Sequence, residues 1–331
     1  MTILSFTLSF PLAKRKEGDF FIGERMYLGI DYLITHNLKP YVVEVNVGLP
    51  GGAQEYHLTH LVHFGKPSDI FTRIDETSLR VYGKTFKDYL SSLPFIESLK
   101  PFKIWMDGEG PFPCTFHPGL RLEDKWIQYQ LIKGIVPIPE TMAFDPLDLR
   151  EAEQFLKEKK KLVLKRRVGR GGRDFKIITG LGSLNKLNTA DHPCLLQEYI
   201  ESKIDGYVFS IRAVAFGGEF MCMYANLSTR SYSNHGILTF VSQGDHFGLA
   251  DKEFGTECFN QKSWEAEIWF GKNDPPYLRH NLYEDEVART TLFLPNELYR
   301  TIEELSVKIE RLYEGLDFSS LPRACFEVPA F

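Results

Sequence analysis

The stretch "LVLKRRVGRGGRDFKII", residues 162–178, constrains the fold more than any other. A buried-type run, Leu162-Val163-Leu164, leads through Lys165 into the glycine-rich Gly169-Arg170-Gly171-Gly172, and an apolar run returns from Phe175 to Ile178. Glycines let a backbone approach an anion and turn its N–H groups toward it, while a lysine at the strand exit adds a point charge. Phosphate-loop NTPases and dinucleotide-binding units run from strand through glycine loop to helix. This loop joins strand to strand and lacks a Gly-Lys-Ser/Thr ending, so neither reading applies. A plain hairpin turn on a basic edge is the alternative.

The flanking segments carry further pattern. "LEDKWIQYQLIKG" opens on acidic residues, places Trp126, Ile127, Leu131 and Ile132 at helical spacing, and stops at Gly134, which predicts a helix followed by a strand entering at Pro137 and Pro139. "REAEQFLKEKKK" predicts a charged amphipathic helix. Downstream, "CLLQEYI" predicts a strand ending at Gln197-Glu198-Tyr199-Ile200, and "FSIRAVAFGGEF" a strand, a Gly-Gly turn and another strand. Near the front, "MYLGIDYLI" and "PYVVEVNV" predict a hairpin across "THNLK", and its second strand ends on Glu44 and Asn46 before Pro-Gly-Gly. Two residues apart on a strand, those side chains share a face and can share a metal. Residues 57–120 carry five prolines from Pro94 to Pro118 and no clean period, which predicts a less regular connecting or substrate segment. "LPNELYRTIEELSVKIERLYEGLDFSSLPRACFEV" predicts an amphipathic helix and then a strand.

Composition narrows the function classes. At 331 residues, 43% hydrophobic, the chain can bury a core divided into two or three lobes. A net charge of −5 gives no basic field for nucleic acid or an anionic membrane. The longest apolar run, "ILSFTLSFPLA", is far shorter than the roughly 20 residues of a membrane span, and no small-residue cleavage pattern follows it. The expectation is a cytoplasmic protein with no membrane and no nucleic-acid partner. Its five cysteines are scattered without CxxC or Cys/His spacing, which predicts reduced thiols and no zinc.

Taken in order, "DKWIQYQLIKGIVPIPET", "LVLKRRVGRGGRDFKII", "LLQEYI" and "FSIRAVAFGGE" resemble the ATP-grasp superfamily, in which a nucleotide lies between two α+β lobes under a glycine-rich flap. The resemblance implies ATP and Mg²⁺ as cofactors. It places Lys125 and Lys165 on the phosphates, the loop with Gly169, Gly171 and Gly172 over them, and Glu198, Tyr199 and Ile200 at the adenine edge, with Gln197 also among the nucleotide-binding residues. Glu201 or Asp205 would lie near the ribose, Arg212 near an acyl phosphate, and Arg230 with Asn234 at later phosphate and metal-side contacts. The family's metal-binding carboxylate and Glu-x-Asn normally close the chain; here "GIDYLITHNLKPYVVEVNVGLPGG" sits at the front, with Asp31, Glu44 and Asn46 in the matching places. That implies a circular permutation of the kind found in eukaryotic-type glutathione synthetases and glutathionylspermidine synthetases. Asp31 and Glu327 both fall where a family carboxylate would sit, and the strand at 41–46 is expected beside one at 323–328.

The implied organisation is an α+β fold: a permuted metal-binding hairpin over residues 1–56, a connecting or substrate segment over 57–120, a nucleotide lobe over 121–200 and a C-terminal lobe over 201–331. The implied activity is an ATP-dependent carboxylate–amine ligase with an acyl-phosphate intermediate; a phosphotransferase and a nucleotide-binding regulatory protein are the alternatives. Small-molecule carboxylates and amines are the expected partners, and a homodimer is compatible with the sequence without being specified by it. Arg166, Arg167, Arg170, Arg173 and Arg230 are candidates for an anionic acid substrate, or a solvated edge. Gln54, Glu55 and His57 are candidates for the amine.

Overall fold

Among the described residues, a hairpin from the front of the chain forms one edge of the larger of two β-sheets. In this computed structural model, residues 26–47, 51–106, 108, 110–111, 116–169, 175–185, 187, 192–229, 236–260 and 284–327 are described. Strands β1 (Leu28–Ile34) and β2 (Pro40–Asn46) pair antiparallel, and the turn between them puts Leu38 at φ 62°. Four helices follow: α1 (Ala53–Phe64), α2 (Ile70–Tyr82), α3 (Phe86–Ser91) and α4 (Ile96–Met106). Helix α5 (Lys125–Ile132), β3 (Thr141–Phe144), α6 (Arg150–Lys159), β4 (Leu162–Arg166), β5 (Lys176–Ile178), α7 (Leu181–Leu184) and β6 (Cys194–Glu198) come next. The rest is β7 (Lys203–Ile204), β8 (Tyr207–Phe216), β9 (Glu219–Ser228), β10 (Ile237–Gly244), β11 (Gly248–Leu249), β12 (Thr256–Asn260), β13 (Glu284–Pro295) and α8 (Asn296–Glu314).

The larger sheet runs β11-β13-β10-β9-β8-β1-β2, with β7 added to β8 and β12 to β13; the smaller runs β3-β6-β4-β5. Only the β10–β13 pair is parallel among the described ladders of named strands. The class is α+β, as the sequence pattern predicts. On β4, alternation sends Leu162 and Leu164 into a small core with Phe144, Leu156, Ile178 and Leu196, while Val163 and Lys165 lie on the other face, where Lys165 meets β2. The larger core joins β1, β2, β8 and β9 to the helices, and α8 seals it with Leu298, Ile302, Ile309 and Tyr313.

Two expectations need correction. Residues 57–120 are largely helical, not irregular. Helix α2 buries Thr77 and Ser78 beside Ile70 and Ile74, so its inward face does not read as apolar, and α4 carries Pro101 inside the helix. At the other end, α8 forms as predicted, but 325–327 is a 3₁₀ turn, and among the described residues no strand follows. The hairpin's neighbour is therefore β8, through Asp31↔Arg212 and its flanking pairs, and not a strand from the end of the chain.

The outer edge of β2 is closed by side chain and loop instead. Val42 N–H donates to the Pro137 carbonyl at 2.9 Å. Val45 N–H donates to Gln128 Oε1 at 3.2 Å, and Gln128 Nε2 donates back to the Val45 carbonyl at 2.6 Å and to the Leu122 carbonyl at 2.6 Å. One buried amide thus does the work of a strand partner, because an edge buried under a helix must have its polar groups satisfied. Gln128→Ala should destabilise the protein by about 2 kcal/mol, since it leaves buried backbone groups unpaired; urea unfolding measures this, and a loss under about 0.5 kcal/mol, the range of an ordinary surface change, would contradict the pin.

Candidate functional site

A row of side chains crosses the larger sheet. Directly opposed residues of antiparallel strands share a face, and the registers Glu44↔Asp31, Asp31↔Arg212 and Arg212↔Tyr224 set four functional groups side by side on β2, β1, β8 and β9. Arg212 clamps Asp31 with two hydrogen bonds of 2.7 Å, and Asn46 Nδ2 donates to the same carboxylate at 3.1 Å. A planar guanidinium meeting a carboxylate with two parallel bonds fixes orientation as well as charge.

The smaller sheet and α5 face this row. Lys125 Nζ lies 3.4 Å from Glu44 Oε1 and donates to the Gly169 carbonyl at 3.0 Å. Lys165 Nζ donates to Gln197 Oε1 at 2.8 Å, and Gln197 Nε2 donates to Thr141 Oγ1 at 3.0 Å. Glu44, Lys125, Lys165, Gln128 and Gln197 line one small recess between the two sheets. Burial raises the Glu44 pKa, but Lys125, Lys165 and Arg212 together outweigh it and hold the carboxyl below its ordinary value. Burial pushes Lys165 down to about 8, a shift opposed by Glu44 and reinforced by Lys125. Arg212 is held well above its ordinary value: burial lowers it, and Asp31 and Tyr224 more than compensate.

Asp124 rivets the two halves together. It is fully buried, caps α5 by accepting from Trp126 N–H at 2.9 Å, and receives Arg167 at 3.1 and 2.7 Å and Cys325 N–H at 3.0 Å. The Arg167 carbonyl in turn accepts from Lys125 N–H at 2.8 Å. The exit of β4 is thereby fixed to the first turn of α5, two residues from Lys165 and beside Lys125. Arg167 is consequently occupied in structure, not available as a substrate-binding arginine.

Helix α1 closes the row from above. Gly52 has φ 156°, and a Cβ there would lie 2.5 Å from Val214 Cγ2 and 3.9 Å from Arg212 Cδ, so glycine is required for the helix to start this close to β8. Of the three residues proposed from sequence for an amine, His57 is buried with Nδ1 3.0 Å from Ser68 Oγ and Gln54 is buried, while Glu55 Oε2 is buried without a hydrogen-bond partner among the described residues.

Asp31, Glu44, Asn46, Lys125, Lys165, Gly169, Gln197 and Arg212 thus converge. Others do not join them. Glu327 pairs with Arg121 at 2.7 Å and accepts from Ala324 N–H at 3.2 Å, a bond set that ties the end of the chain to the turn before α5. Glu198, one residue past Gln197, points to the opposite face and accepts from Glu140 N–H at 3.4 Å. Tyr199 carries Lys161 Nζ 3.5 Å from its ring centroid, and Ile200 is buried. Glu201 pairs with Lys203 at 2.7 Å, and Asp205, at φ 46° in a turn, pairs with Lys252 at 3.4 Å. Gly171, Gly172, Arg230 and Asn234, with Arg170 and Arg173, lie outside the described residues.

Among the described residues, no group of three His, Cys, Asp or Glu is placed to hold a metal ion. Asp31 and Glu44 with the Asn46 amide fit Mg²⁺ only in its common mode, where one or two carboxylates share the ion with substrate phosphates and water. Among the described residues, no helix is long and apolar enough to cross a membrane. A scan against models of known protein families finds no match, and a search of curated proteins finds none either.

Lys165 gives the site a pH signature. With a folded pKa of about 8 and an unfolded value of roughly 10.4, the unfolded chain binds more protons between those values, so stability must rise with pH there. Between pH 8 and 10 the parent should gain about 2 kcal/mol relative to Lys165→Met in urea unfolding. Parallel pH profiles would show that the ammonium is not held at this desolvated position.

Proposed function

We propose that the protein is an ATP-dependent carboxylate–amine ligase with an ATP-grasp-like site between its two sheets. The observation that carries the reading is the meeting of Lys125 and Lys165 from one lobe with Glu44 and Asp31 from the other. Two recessed ammonium groups, one of them hydrogen-bonded only to a neutral amide among the described residues, suit a polyphosphate, and the opposed carboxylates suit its divalent cation. The glycine-rich stretch starts at Gly169, whose carbonyl already contacts Lys125. The hairpin from the front of the chain, seated against β8, supports a permuted arrangement.

In this reading a substrate carboxylate attacks the γ-phosphorus of ATP, forming an acyl phosphate and breaking the bond to ADP; an amine then attacks the acyl carbon and expels phosphate. Lys125 and Lys165 hold the phosphate oxygens in line and offset the charge that builds on them. Arg212, held by Asp31 through its Nε and one terminal nitrogen, adds positive charge beside Glu44. Mg²⁺, bound through Glu44 and Asp31, would supply further charge neutralisation of the phosphates. No nucleophilic serine or cysteine is needed.

The test incubates the protein with Mg-ATP and pools of carboxylic acids and amines. ADP and free phosphate should form only when both an acid and an amine are present; a phosphorylated product accumulating without amine would instead make the protein a phosphotransferase. Glu44→Gln keeps size but removes a negative charge facing the cation, so turnover should fall about a hundredfold or more; the melting temperature should fall too, because Lys125 loses its carboxylate partner, while the circular dichroism spectrum stays that of the parent. Turnover unchanged in that variant would remove Glu44 from the site.

A further inference from the structure

The larger sheet contains a gap. Strands β9 and β10 pair only from Ile237↔Leu227 to Phe240↔Tyr224. Both continue past that point: β9 extends back to Glu219, still bonded to β8, and β10 runs on to Gly244, still bonded to β13. Among the described residues, no ladder joins 219–223 of β9 to 241–244 of β10. The space they enclose is a cleft of about 950 Å³, floored by these two edges and walled by α1, α2 and α8.

The lining has a definite chemistry. Tyr56, Phe240 and Tyr299 present aromatic surface. Arg73 on α2 and Arg311 on α8 flank the opening, and neither has an ion-pair partner among the described residues; Glu303, also on α8, supplies a carboxylate. Strand edges offer alternating N–H donors and carbonyl acceptors, a pattern that an extended peptide matches along its length and that a compact solute does not. Both signs of charge at the rim suit a ligand with a free ammonium and a free carboxylate. The volume is that of a site for a molecule of a few residues.

We propose that this gap binds a short peptide with free termini, seated as an extra strand between β9 and β10, its carboxylate toward Arg73 or Arg311 and its ammonium toward Glu303. The site stands apart from the recess at Glu44 and Lys165, with which it shares no lining residue, and it does not depend on the nucleotide reading.

Titration calorimetry of the full chain with a panel of Ala-X-Ala tripeptides tests it. At least one should bind; methylating its amide nitrogens, which removes donors but keeps the side chain, should weaken binding at least tenfold. Ser242→Trp, which fills the cleft, should abolish binding, and Lys165→Ala should leave it unchanged. If Ser242→Trp does not fold, the double variant Arg73→Ala/Arg311→Ala, changed at exposed positions, should still weaken binding at least tenfold. Failure of every tripeptide to bind, or equal binding of the methylated form, would overturn the proposal. A dimer that sediments as such and is abolished by Ser242→Trp would also overturn it, in favour of a second copy of the chain pairing through these edges.

Discussion

The placement of every group in the recess depends on how α5 docks against the outer edge of β2. One turn of that helix makes both contacts: Lys125 meets Glu44, and Gln128, three residues on, bonds both polar groups of Val45. Residues three apart on a helix are neighbours on its surface, as are consecutive residues along the facing strand edge, so the charge contact and the backbone contact enforce one another. Asp124 at the head of the same helix binds Arg167 at the exit of β4, which carries Lys165 into register with Lys125. A small helix is thus the bracket between two sheets that otherwise have separate cores.

Charge placement follows from that bracket. Asp31 accepts hydrogen bonds from Arg212 and Asn46, and Glu44 is shared among three cations, whereas Lys165 has a neutral hydrogen-bond partner. A buried ammonium in that situation is costly, which is what its depressed pKa expresses. Residues that keep such a cost at the mouth of a recess between lobes are the pattern expected of a ligand site, where an incoming anion supplies the missing charge.

What could be read from the sequence was local. Alternation on Tyr41-Val42-Val43 and on Leu162-Val163-Leu164 located β2 and β4, and so the faces carrying Glu44 and Lys165. The helix at Asn296–Glu314 was legible because its apolar residues fall in one stripe. The partnerships were not legible. Arg167 looks like one member of a basic run until Asp124, 43 positions earlier, is seen beneath it, and Glu327 looks like a metal carboxylate until Arg121, 206 positions earlier, claims it. Gln128 gives no sequence signal of standing in for a strand. Helix α2 hid because hydroxyl side chains, Thr77 and Ser78, occupy its buried face.

The central claim is that the Lys125 and Lys165 ammonium groups lining the recess between the sheets bind a polyphosphate at its mouth. Titration calorimetry with a non-hydrolysable ATP analogue and Mg²⁺, run on the parent and on Lys165→Met, tests it without knowledge of the other substrates. The account predicts saturable binding to the parent and a loss of at least tenfold in the variant, about 1.4 kcal/mol or more, since a charge-assisted phosphate contact is removed. Equal affinity in the two proteins, or no binding to the parent, would contradict it.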